Sequence, residues 1–329
     1  MTALGASLST PPPTLTPDQA AALARTHFGI SGSLTKLTSE RDLNFRLTTA
    51  TAQYVLKLAN PVEPAAVTDF QTAALLHLES TTLPVPRVMR TRTGAPEAAT
   101  QHGILRLLTW LEGLPQYAAR RTTLQRHNLG TIAARLTLGL QGFHHPAAAH
   151  VLQWDIKHAA ALRPLLPHVP AAIRLLATET LDRFDRDIAR HLPNLRSQVV
   201  HNDLNPHNVL VNPADTDAIA GILDFGDMVQ TPLICDAAVA ACYQIDPAQP
   251  WQSLLDFARA YHATLPLTPL EIRLLPDLVA TRMLTSLTIA SARVAMYPDN
   301  AAYILRNYQG AQDGLTALSN LPRIALELS

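Results

Sequence analysis

The segment His201-Asn202-Asp203-Leu204-Asn205-Pro206-His207-Asn208, with Asp224-Phe225-Gly226-Asp227 downstream of it, places two carboxylates and an amide just after apolar runs. Transfer of a phosphoryl group asks little covalent chemistry of a protein. It needs an acceptor hydroxyl oriented, its proton accepted, and the polyphosphate charge neutralised by magnesium. The segment holds suitable groups, since Asp203 can accept the hydroxyl proton, while Asn208 and Asp224 offer the hard oxygen atoms that Mg2+ prefers. A lone Asp or Asn in a loop is usually a cap or turn residue. Two such spacings holding together point to chemistry instead.

H-x-D-x-x-x-x-N followed by D-F-G resembles the catalytic core of the protein-kinase-like superfamily. There the first Asp is the base and the Asn and second Asp bind metal, roles the resemblance carries to Asp203, Asn208 and Asp224. His201-Asn202-Asp203 in place of H-R-D, with D-L-N-P-H-N, points to small-molecule kinases of the aminoglycoside phosphotransferase and choline kinase-like type. SERDLNFRL, YVLKLANPVEP, DFQTAALLHL, LPVPRV, RLLTWLEG and HNDLNPHNVLV…ILDFGDM together are similar to the hydroxylysine kinase branch. They are also similar to the phosphotransferase domain fused ahead of a class III aminotransferase in some bacterial proteins. The resemblance runs from about residue 18 to the end of the sequence. It implies a Mg2+-dependent transfer from ATP or GTP to a hydroxyl of an amino alcohol or amino acid, with 5-hydroxylysine first. It also implies a functional link to a class III aminotransferase or phospholyase. Homoserine, choline, ethanolamine and aminoglycosides are the alternative acceptors, and a nucleotide-binding pseudokinase or partner-binding module is the alternative of another class.

The kinase reading requires a lysine in an N-terminal strand to hold the α- and β-phosphates. Of Lys36, Lys57 and Lys157, Lys57 alone lies in an apolar strand pattern, Y-V-L-K-L, ahead of a helix. A helix carboxylate normally pairs with that lysine; the matching position here is Gln71, which bonds an ammonium without charge, so Glu63 or Asp69 is expected to compensate. The phosphate-covering loop lacks G-x-G-x-x-G. Residues 39–46 stand in its place, with backbone N–H groups and Ser39, Asn44 or Arg46 as substitutes. Trp110 is read as stacking on the nucleotide or packing into a hinge, and His201 as a scaffold residue. Asn205, His207, Asp227 and Asp236 are read as substrate-facing, with bracing of the catalytic loop as the alternative for Asp236. Arg120, Arg121 or Arg282 is expected to meet a substrate carboxylate. His144, His145 and His150 are read as a solvated helix end, with no zinc.

These residues need elements to position them. Thr16 and Gly29 bracket a first helix, after which alternating and β-branched residues predict consecutive antiparallel strands with Lys57 in Tyr54–Leu58. Val67, Phe70, Ala74 and Leu78 then mark one face of a helix, and LPVPRVMRTRTG and GILRLLTWLEG read as two further strands. From Pro115 the periodicity is helical, with candidates at Leu124–Gly142, Trp154–Leu166, Ala171–Leu192, Trp251–Thr264 and Leu270–Ala295. The exception is Gln198–Met228, where short strands carry the site. The expected fold class is therefore α+β, a protein-kinase-like two-lobed fold, with a small N-terminal antiparallel sheet plus helix and a larger, mostly helical C-terminal lobe. The expected division is a flexible tail at 1–17, a nucleotide-binding lobe at 18–110, and a lobe at 111–329 with the catalytic loop and substrate site.

With 26 basic and 26 acidic side chains among 329 residues, the formal charge is zero. Such a chain has no basic field to attract nucleic acid or an anionic membrane. The first 17 residues lack the pattern of a signal peptide, and the apolar stretch Leu274–Met296 is interrupted by Pro276, Asp277, Arg282 and Arg293; a cytoplasmic location is expected. Cys235 and Cys242 form no ligand or redox motif and read as reduced core residues.

Overall fold

The computed structural model describes residues 13–39, 41–320 and 326–328, so most of the expected tail lies outside the described residues. The chain divides into two units. One takes the described residues up to Glu112 together with Phe143–Ala148 and Gly221–Leu223; the other takes the remainder.

In the first unit, helix α1 (Pro17–Phe28) begins inside the stretch expected as tail, because Thr16 and Gln19 close a capping box and Pro17 occupies the first turn. Gly29 ends it at φ 71°. Strands β1 (Ser33–Leu37), β2 (Leu43–Thr48), β3 (Gln53–Leu58), β4 (Ala98–Thr100) and β5 (Gly103–Thr109) form one sheet in the order β1-β2-β3-β5-β4, with every pair antiparallel. The two-residue period sorts its faces. Leu43, Phe45, Leu47, Leu56, Leu58, Leu105 and Leu107 form a core with Ala20, Ala24 and Phe28 of α1. The other face carries Asn44 opposite Lys57 and Lys57 opposite Arg106.

The segment LPVPRVM is not the strand expected. It contributes a single bridge, Val88 to Leu108, because Pro84 and Pro86 have no N–H to give a ladder; β4 takes the edge instead. Helix α2 (Ala65–His77) connects β3 to the later strands, and a 3-10 turn extends it through Ser80. Phe143 stacks on Phe70 of α2 at 6.0 Å. His145 packs on the same ring at 5.2 Å and lies 3.0 Å from Asp69, so it belongs to a packed contact rather than a solvated helix end.

The second unit contains β6 (Leu114–Pro115), α3 (Thr123–Gly139), α4 (Ala171–Arg183), β7 (Ser197–Val200), β8 (Val209–Asn212), most of β9 (Asp215–Ile222) and β10 (Val229–Pro232). Helices α5 (Leu233–Cys242), α6 (Pro250–Thr264), α7 (Pro269–Met296), α8 (Ala301–Ile304) and α9 (Tyr308–Ser319) complete it. β7 pairs with β10, and β8 lies between β6 and β9. Two expected helices are altered. Ile156–His168 is 3-10 rather than α, with Pro164 and Pro167 inside it, since each proline removes a donor the α pattern needs. The α-helix from Ala171 stops at Arg183 and passes into a π turn, Phe184–Ile188. α3 meets α6 so closely that a Cβ on Gly130 would lie 2.3 Å from the Phe257 carbonyl oxygen. Among the described residues no helix is long and apolar enough to cross a membrane.

Candidate active site

Residues 201–208 form the loop between β7 and β8. Asn202 and Asp224 are the non-glycine residues with positive φ among those described, at 63° and 55°. Asn and Asp tolerate this left-handed region better than other side chains, and strain of this kind gathers at functional sites. Asn202 is held there by its backbone N–H, which donates to Oδ1 of Asp236 at 2.6 Å. Asp236 lies in the first turn of α5 and is 1% exposed. Of the two roles the sequence allows it, bracing is the one observed; a carboxylate beneath the loop presents no surface to a substrate. Burial pushes its pKa up to about 7, against the Asn202 N–H, which stabilises the ionised form.

His201 is fully buried. Its Nδ1 accepts the Asp203 N–H at 3.2 Å, and its ring meets Phe225 edge-on at 4.8 Å, which is a scaffold position. Oδ2 of Asp203 accepts Nδ2 of Asn205 at 2.9 Å and Nδ2 of Asn208 at 2.7 Å. Oδ1 instead lies 3.4 Å from Nη2 of Arg282. The Asp203 pKa is raised to about 7, first by burial and then by the negative charges of Asp227 and Asp224, with Arg282 and the Asn205 hydrogen bond opposing. A carboxylate poised near neutrality is suited to take a proton from a hydroxyl.

Asn205 is 3% exposed and both ends of its amide serve the loop, since its Oδ1 accepts the His207 N–H at 2.8 Å. It holds Asp203 rather than facing a substrate as expected. His207 is half-buried with its ring 4.5 Å from Tyr117; burial, and then Arg306, lower its pKa. Asp227, also half-buried, lies in the turn Phe225–Asp227.

The residues assigned to a metal fit one of modest demands. Asn208 uses Nδ2 for both bonds to Asp203, at 2.7 Å to Oδ2 and 3.0 Å to the backbone oxygen, which turns its carbonyl oxygen the other way. Asp224 is exposed, with Oδ1 accepting the Gly226 N–H at 3.1 Å. No cluster of three or more His, Cys, Asp or Glu suited to a metal occurs among the described residues. Magnesium is commonly held by one or two protein oxygens with water and substrate phosphates completing its shell, so two donors fit it.

In the first unit, Lys57 is 14% exposed and its Nζ lies 3.9 Å from Oδ2 of Asp42; Arg106 reaches the same oxygen at 3.9 Å. Oδ1 of Asp42 accepts the Asn60 N–H at 3.3 Å. Gln71, the expected partner, is buried in α2. Asp69 is taken up by His145. An acid beside Lys57, Asp42, thus lies in the β1–β2 connection. That connection is also shorter than expected, with Ser39 lying in it, half-buried, whereas Asn44 and Arg46 belong to β2. Arg46 covers the Trp110 ring at 4.4 Å, so Trp110 packs within its own unit.

Sequence reasoning overlooked Asp42, Arg106, Trp154 and Tyr243. Arg106 had a signal, since G-I-L-R-L-L-T repeats the lone cation in an apolar strand that singled out Lys57. Trp154 and Tyr243 had none.

The model of the phosphotransferase enzyme family matches residues 33–274. Hydroxylysine kinase of Mus musculus is 27% identical, the alignment covering 96% of this chain and 92% of that protein. The Danio rerio hydroxylysine kinase is 27% identical, covering 94% and 92%. Among solved structures, a microcompartment-associated aminopropanol kinase superposes with TM-score 0.70 at 20% identity, covering 94% of this chain and 99% of its own. An amicoumacin kinase in complex with AMP-PNP and Ca2+ gives 0.66 at 14%, covering 91% and 94%. These likenesses show a kinase-like α+β fold.

Proposed function

The chain belongs to the phosphotransferase enzyme family, and from that membership we propose that it moves the γ-phosphoryl group of ATP or GTP to a hydroxyl of a small amino-containing metabolite, 5-hydroxylysine foremost. The observation that carries this reading is the asymmetry of Asp203. Its Oδ2 is tied by the amides of Asn205 and Asn208, whereas Oδ1, at 3.4 Å from Nη2 of Arg282, is the less engaged oxygen and the one we assign to an acceptor. In the transfer, the acceptor oxygen forms a bond to the γ-phosphorus, the bond from that phosphorus to the bridging oxygen breaks, and its electron pair leaves on the nucleoside diphosphate. The hydroxyl proton passes to Oδ1 of Asp203.

Asn208 and Asp224 would hold Mg2+, which when bound neutralises polyphosphate charge. Lys57 is assigned to the α- and β-phosphates, with Ser39 and backbone N–H groups of the β1–β2 connection beside them. Asp227 is assigned to the ammonium of the acceptor, since a cation removed from water needs a counter-charge.

The choice of 5-hydroxylysine rests on the near full-length similarity to proteins named for that reaction. The test is a turnover panel of 5-hydroxylysine, homoserine, choline, ethanolamine, 1-amino-2-propanol and an aminoglycoside, each with ATP and with GTP. The highest kcat/KM is expected for 5-hydroxylysine. A clearly higher value for another acceptor under matched conditions would replace it, and no turnover with any would leave the pseudokinase alternative standing.

A further inference from the structure

Arg282 lies within α7 and comes to Asp203 from 79 positions away in sequence. Its side chain is 2% exposed. The guanidinium sits 5.3 Å from the ring centre of Trp154 and 6.0 Å from that of Tyr243. Nη1 donates to the Trp154 carbonyl oxygen at 2.9 Å. Nη2 donates to the Tyr243 hydroxyl at 3.2 Å and faces Oδ1 of Asp203 at 3.4 Å.

A planar fork held at one nitrogen by a backbone carbonyl has little freedom to redirect the other. The two asparagine amides pin Oδ2 of Asp203, and the second point needed to fix the plane of the carboxylate is the Nη2 contact at Oδ1. Burial at this level gives an acceptor no surface of Arg282 to touch, so the residue is unsuited to the substrate-carboxylate role the sequence suggested for it.

We propose that Arg282 is a positioning residue which, held by Trp154 and Tyr243, fixes the orientation of the Asp203 carboxylate so that Oδ1 meets the acceptor hydroxyl. The inference rests on the kinase reading. Its distinguishing consequence is that Arg282 governs kcat for every acceptor and recognises none of them.

The experiment compares wild type with Arg282→Met, which keeps a long side chain against Trp154 and Tyr243, and with Arg282→Lys and Tyr243→Phe. Loss of one charge-assisted hydrogen bond predicts a fall in kcat of about 10- to 100-fold for Arg282→Met. The KM values for nucleotide and acceptor are expected to stay within about threefold of wild type. Arg282→Lys retains the charge without the fork and is expected to recover only part of the loss. Tyr243→Phe removes one hydroxyl and covers the case in which the arginine variants do not fold; a smaller fall in kcat with unchanged KM is expected.

The decisive measurement repeats both substitutions in Asp203→Asn protein, using a radiolabelled donor to follow residual turnover. If Arg282 acts through Asp203, neither Arg282→Met nor Tyr243→Phe lowers that residual rate further. Multiplying losses in the Asp203→Asn background, a raised acceptor KM at unchanged kcat, or a wild-type kcat in Arg282→Met each overturns the inference while leaving the kinase reading intact. Wild-type protein without turnover on any acceptor overturns both.

Discussion

Beside Lys57, Asp42 lies 3.9 Å from both Lys57 and Arg106, and the two cations sit side by side on one face of a sheet. Around Asp203 the closest contacts are short hydrogen bonds, at 2.6 Å from Asn202 to Asp236, and at 2.7 and 2.9 Å from the two asparagine amides to the carboxylate, with Arg282 farther at 3.4 Å. Two residues there hold positive φ. The difference suits the role proposed for each region. On the proposed roles, a contact as long as 3.9 Å leaves Lys57 able to turn to a phosphate, whereas a carboxylate proposed as proton acceptor is best held in place before its substrate arrives. The positive φ at Asn202 and at Asp224 costs about 1–3 kcal/mol each, and in the loop that cost is offset by burial and by hydrogen bonds such as those to Asp236 and His201.

Substitution tests that contrast from its strong end to its weak one. Asp203→Asn keeps the shape of the side chain and removes the base, so kcat is expected to fall about 10²- to 10⁴-fold with nucleotide binding, followed by thermal shift, retained. A near wild-type kcat would dissolve the distinction between the two regions.

Lys57→Ala should lower kcat/KM for the nucleotide by about 10- to 100-fold, the range for one lost charge-assisted contact. Lys36→Ala and Lys157→Ala serve as controls and are expected to change it little. Equal effects from all three in steady-state kinetics would leave Lys57 no more than general charge.

The brace beneath the loop predicts a pH dependence. Asp236 has its folded pKa raised to about 7 from the ordinary 3.8, so the folded protein keeps a proton there that the unfolded chain releases. The associated stability is full below about pH 4 and is lost as pH rises through about 7, with a slope of up to about 1.4 kcal/mol per pH unit. Asp236→Asn, which still offers an oxygen to the Asn202 N–H, should become more stable relative to wild type across that window, as read by urea unfolding at several pH values. A constant difference would show that the brace is ionised throughout.

Asp42→Asn should have the smallest effect. Asp42 is 19% exposed and its ionic contacts are at the limit of length, so a stability change under about 1 kcal/mol is expected from thermal denaturation. A loss of several kcal/mol would mean that the sheet face is as firmly built as the loop.

What could be read before the structure was known is local. The N-cap at Thr16, the left-handed stop at Gly29 and the strand around Lys57 depend on neighbours within a few positions; the strand from Leu43 was hidden, because residues 39–46 read as a loop. The catalytic loop was legible for the same reason, because Asp203, Asn205 and Asn208 hydrogen-bond to one another across two to five residues. Proline punctuation misled where it was read too lightly, at Pro84, Pro86, Pro164 and Pro167, each of which withholds a donor from the element assigned to it.

The sequence by itself determined which groups can do chemistry and on which short elements they sit, because side-chain type and strand or turn period are properties of adjacent residues. Only the tertiary structure decided their partners. Asp42 beside Lys57, Asp236 under Asn202, and Arg282, Trp154 and Tyr243 around Asp203 are pairings between residues distant along the chain. Spacing along the chain carries no information about such approaches; they follow from sheet register and helix packing, which settle where each buried charge finds its counter-charge.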